Sequence, residues 1–85
     1  METLDLQKIR NELDEIDHQI VSLFEKRMEL CRSVAEYKIS TGKPVYDGAR
    51  EKQKLEAVAA MAHGDFNKKA VGELFSQIMT ISSRY

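Results

Sequence analysis

LQKIRNELDEIDHQIVSLFEKRMELCRSVAEYKIS, residues 6–40, decides the fold. Its apolar residues fall at Leu6, Ile9, Leu13, Ile16, Ile20, Leu23, Leu30 and Val34, in steps of three and four (with a seven-residue gap between Leu23 and Leu30) that lay one seam along an α-helix. No Gly or Pro interrupts the pattern before Gly42 and Pro44. One helix is therefore predicted over about residues 5–40, roughly 52 Å long at 1.5 Å per residue.

Working outward, Asp47 followed by Gly48-Ala49-Arg50-Glu51 reads as an N-cap and first turn, and Leu55, Val58, Ala59 and Ala62 give the second helix its apolar face. Gly64 ends that helix, predicted over about residues 47–63. Asp65 or Asn67 is placed to cap a third, over about 66–84, with Val71, Leu74, Phe75, Ile78 and Ile81 on one face. No alternating strand pattern or repeat is present, so the fold class is all-α: one long helix and two shorter ones in a single domain, residues 1–85. Two short helices can cover one side of the long helix, but a seam running its whole length also needs something parallel to it. A second copy of the chain about a two-fold axis is the simplest neighbour, which gives an intertwined homodimeric bundle. On the first helix alone an ordinary coiled coil is the preferred reading of the seam, and it fails at one position.

Thirteen basic against fourteen acidic residues leave a net charge of −1, so no global field exists to hold nucleic acid or an anionic membrane. Anion binding would need locally gathered cations. Cys31 is the only cysteine, which excludes a disulfide within the chain and a cysteine-pair zinc site. The N-terminus is charged from its second residue and no stretch reaches membrane-spanning length, so a cytoplasmic protein is expected. His18 and His63 sit among polar residues, as surface histidines do.

Continuing the seam from Leu23 by four lands on Arg27, and Leu30 follows three later, so a guanidinium occupies an apolar register position. Arginine can snorkel to water or pair with a neighbouring glutamate. It can also face a cavity and grip a carboxylate with its planar fork. Lys38 favours the second use, because eleven residues at 100° each return to within about 20° of the same face, some 16.5 Å further along the axis. The two long side chains can bracket a small anion. Arg10 is seventeen residues before Arg27 and about 100° round the helix, so it cannot easily serve the same pocket from the same chain; in an antiparallel dimer it could complete the partner's pocket, and taken alone it reads as a solvated surface arginine.

The most specific stretch is Gly42-Lys43-Pro44-Val45-Tyr46-Asp47-Gly48-Ala49-Arg50-Glu51, followed by Leu55. With Ile9-Arg10, Ile16-Asp17, Arg27, Glu29-Leu30 and Lys38, it resembles the signature of the all-helical chorismate mutases, in which a Gly-x-Pro-Val-x-Asp loop leads into an Arg-Glu pair opening the second helix. The resemblance covers about residues 5–84. It implies a cofactor-free, metal-free homodimer that rearranges chorismate to prephenate. By the resemblance, Arg27 would hold one substrate carboxylate, and Arg10 of the other subunit would hold a carboxylate across the interface. Lys38 would donate to the ether oxygen, Asp47 and Glu51 would meet the ring hydroxyl, and Arg50 and Ser82 would line the carboxylate side. The family also places a glutamine four positions beyond the serine; counting from Ser82 puts it at position 86, one past Tyr85. With position 86 outside the given sequence, Lys38 would be the only predicted cationic donor to the ether oxygen, and a catalytically weak domain cut from a fused aromatic-pathway enzyme is one alternative reading. A binding or regulatory domain for the same metabolites, and a plain helical dimerisation module, are the competing readings.

Overall fold

A computed structural model describes residues 5–42 and 48–84. The elements are α1 (Leu6–Thr41), α2 (Gly48–Met61) and α3 (Asp65–Ser82), with no strand among the described residues. The all-helical expectation holds. By its internal packing the chain divides into two compact units, residues 1–30 and 31–85.

In the first unit, α1 starts where Asp5 caps it. The Asp5 carboxylate accepts the Lys8 backbone N–H at 3.1 Å, and the Asp5 carbonyl accepts the first helical bond from Ile9 at 3.0 Å. An N-cap of this type satisfies one of the orphan N–H groups of a helix start. Beyond it, the seam read from the sequence is present but uncovered. Leu6, Ile9, Leu13, Ile16, Ile20, Leu23 and Leu30 are all exposed, from 37% at Ile9 to 66% at Leu23, and no residue of α1 is buried. Val21, 100° round from Ile20, is exposed as well. From Leu30 to Val21 the apolar surface spans about 180° of the helix, where a single supporting layer needs roughly 100°.

The second unit holds the end of α1 together with α2 and α3, and α2 packs against α3. Val58 and Met79 form the buried core of this pair, with Leu55, Ala59, Val71, Phe75 and Ile78 half-buried around them. Leu74 was expected on the inner face but is 55% exposed, and Met79 is buried instead. The two stand 140° apart on the helix, so α2 covers the Phe75–Met79 side of the stripe and leaves the Leu74 edge open.

The connection between α2 and α3 also differs from the expected capping. The N-cap of α3 is Gly64, with no side-chain cap bond, and Asp65 is already the first helical residue. The Gly64 carbonyl accepts the Lys68 N–H at 3.0 Å. Asp65 therefore acts through its charge in the first turn, where the helix dipole favours an anion. Gly64 holds φ 85° and ψ 151°, a region that is essentially glycine's alone. Asp47, the expected cap of α2, lies outside the described residues.

A Cβ built on Gly64 meets nothing within 4 Å, so the cost of a side chain there is backbone strain alone. Gly64→Ala is expected to lower the unfolding free energy by about 1–3 kcal/mol in urea melts. An unchanged midpoint would contradict the turn as described.

Candidate active site

The residues with binding chemistry fall in both units. On the first, Arg10 is exposed and Arg27 is half-buried, both on the continuous helix α1. Seventeen residues separate them, about 25 Å along the axis and about 100° around it, so the two guanidinium groups of one chain cannot close on one small ligand.

In the second unit, Lys38 occupies the last turn of α1 and is half-buried. Glu51 is the acidic residue in the first turn of α2, where the positive end of the helix favours it, and it too is half-buried. Arg50 beside it is exposed. The short connection Ala62–Gly64 makes α2 and α3 run back along one another, so the first turn of α2 and the last turns of α3 share one end of the hairpin. Ser82 lies at that end, half-buried, and its hydroxyl donates to the Ile78 carbonyl at 2.7 Å. The structure thus brings Arg50, Glu51 and Ser82 to one end of the α2–α3 pair. In its present rotamer Ser82 gives its proton to its own helix, so meeting a carboxylate requires the hydroxyl to turn.

One feature of the α1 end escaped the reading of the sequence. The Ser40 hydroxyl donates to the Tyr37 carbonyl at 2.8 Å, and the Thr41 hydroxyl donates to the same carbonyl at 2.9 Å with the Lys38 carbonyl 3.4 Å away. The signal was the adjacent pair Ser40-Thr41 just before Gly42. Among the described residues no three His, Cys, Asp or Glu side chains group to hold a metal, and no described helix is long and apolar enough to cross a membrane.

The sequence model of the family described as chorismate mutase type II matches residues 9–85, and the chain belongs to that family. A bifunctional chorismate mutase/prephenate dehydratase of Buchnera aphidicola subsp. Schizaphis graminum is 36% identical over 76 residues, 88% of this chain and 20% of that protein. A chorismate mutase of Methanocaldococcus jannaschii is 45% identical over 47 residues, 55% of this chain and 48% of that protein. A 3-dehydroquinate dehydratase of Pyrobaculum aerophilum is 37% identical over 73 residues, 86% of this chain and 22% of that protein. The chain thus spans about a fifth of the length of the first and third of these relatives. Among solved structures, chorismate mutase form II from Thermus thermophilus superposes with a TM-score of 0.87 at 28% identity, covering 93% of this chain and 90% of that one.

Proposed function

We propose that this chain is a cytoplasmic chorismate mutase of aromatic amino-acid biosynthesis, working as a homodimer in which each site draws on both subunits. Family membership over residues 9–85 is the observation that carries the reading. The uncovered face of α1 supports the dimer. With apolar surface over about half its circumference, α1 calls for more than one neighbouring helix, which an intertwined bundle supplies and a two-stranded coiled coil does not. The roughly 25 Å of helix between Arg10 and Arg27 supports the shared site. Two clamps for one small dianion must come from different chains, and antiparallel α1 helices bring the N-terminal turn of one alongside the middle of the other.

The chemistry asks little covalent work of the protein. In the rearrangement an ether C–O bond breaks as a C–C bond forms within one molecule, so positioning and electrostatics carry the rate. Arg27, and Arg10 of the partner, would hold the two carboxylates and keep the substrate in its compact reactive conformer, which removes much of the entropic part of the barrier. Lys38 would face the ether oxygen, where negative charge grows in the transition state. A preorganised cation in a dry site contributes on the order of 3–4 kcal/mol there. Glu51 and Asp47 would meet the ring hydroxyl, and Arg50 and Ser82 would line the carboxylate side. No redox or acid–base group enters the reaction as drawn.

The direct test is loss of chorismate absorbance with formation of prephenate. Binding of chorismate without turnover would convert the reading into a metabolite-binding domain.

Lys38→Ala should lower kcat by about 10²–10³-fold with a much smaller change in KM, because the ether oxygen carries more charge in the transition state than in the ground state. A change in KM alone would remove Lys38 from the ether oxygen. Mixing Arg10→Ala chains with Arg27→Ala chains, each inactive alone, should restore activity, since one site of each mixed dimer keeps both arginines. If subunit exchange is demonstrated and no activity returns, Arg10 does not act across the interface.

A further inference from the structure

We infer that Thr41, assisted by Ser40, is a positioning residue for Lys38, holding the backbone on both sides of that lysine at a helix end that would otherwise fray. The inference rests on the mutase reading above and names a part of the same site.

Lys38 stands in the last turn of α1, three residues from its end at Thr41. Terminal turns are where helices loosen, because the last four carbonyls, here those of residues 38–41, lack the amide partners that a continuing helix would supply, and Tyr37 is the last to keep one. A cation that must meet a particular oxygen is poorly served by such a turn. Placement within roughly 0.5 Å is the usual requirement for a catalytic group.

The hydroxyls at the end of α1 answer that weakness. The Tyr37 and Lys38 carbonyls belong to the two peptide units that flank the Lys38 Cα. The Thr41 Oγ1 is within reach of both, 2.9 Å from the first and 3.4 Å from the second. Ser40 Oγ adds a second hydroxyl donor to the Tyr37 carbonyl at 2.8 Å. One residue on, Gly42 turns at φ 72° and its N–H closes on the Ile39 carbonyl at 3.3 Å. Each carbonyl from 37 to 39 therefore receives a donor from residues 40–42.

Back-bonding by Ser and Thr is common in helices, and the end of α3 shows its ordinary form. There the Thr80, Ser82 and Ser83 hydroxyls go one each to the Ser76, Ile78 and Thr80 carbonyls. At Tyr37, beside Lys38, two hydroxyls converge on one carbonyl. Both hydroxyl-bearing residues are exposed, so removing the groups opens no core cavity.

The test compares the wild-type chain, the double variant Ser40→Ala/Thr41→Val, and Thr41→Ser, with chorismate as substrate and circular dichroism as the check on folding. In the double variant kcat should fall about tenfold with KM within about twofold, a smaller loss than the roughly 10²-fold that a 1 Å misplacement can cause. Helicity should be unchanged, and Thr41→Ser, which keeps the hydroxyl, should stay near wild type. An unchanged kcat in the double variant would overturn the inference and leave the mutase reading intact. So would a fall in kcat matched by lost helicity, which would make the bonds merely structural. A wild-type chain that does not convert chorismate would sink the mutase reading, and this inference with it.

Discussion

Burial of the apolar face of α1 is the constraint on which the rest depends. Seven seam residues between Leu6 and Leu30 stand exposed, and Val58 and Met79 alone form the buried core among the described residues. Covering the remaining half of each seam side chain is worth about 1 kcal/mol apiece, or on the order of 7 kcal/mol per chain. That equals the whole net stability of a typical small domain. A long helix without tertiary support is marginal in water, so α1 needs a neighbour before it can carry a site. The proposed second copy is that neighbour, and the stability of the fold and the completion of the site then become the same event.

This coupling also explains why charged groups can sit on the seam. An arginine at an apolar register position such as Arg27 costs stability if it is buried without a partner. Placed at the edge of the proposed pocket between chains, it would keep part of its exposure and could still meet a carboxylate. Its half-buried state in the single chain fits such a position. Lys38 stands near the end of α1, in the proposed role a place where a small shift in backbone geometry would be costly, and there Thr41 and Ser40 supply extra hydrogen bonds.

How much was legible in the sequence follows from which forces act locally. The helix of α1 was readable because its three-four spacing runs without a Gly or Pro to Gly42, and because periodicity is a property of consecutive residues. The choice between Leu74 and Met79 was not, since both lie on the edges of one apolar stripe and only the direction from which α2 approaches decides between them. Side-chain capping of α3 by Asp65 or Asn67 is the expectation that local composition raises, whereas the chain uses the conformational freedom of Gly64 and leaves Asp65 to act by charge. The roles of Arg50, Glu51 and Ser82 came from family resemblance, since nothing in their local spacing demands a ligand.

The central claim, that α1 is held by a second copy of the chain, is tested most directly by sedimentation equilibrium combined with circular dichroism across a range of concentrations. The account expects a dimer at micromolar concentration, with helicity and thermal midpoint both falling on dilution as the chains separate. A fully helical monomer at those concentrations, with a midpoint independent of dilution, would contradict it.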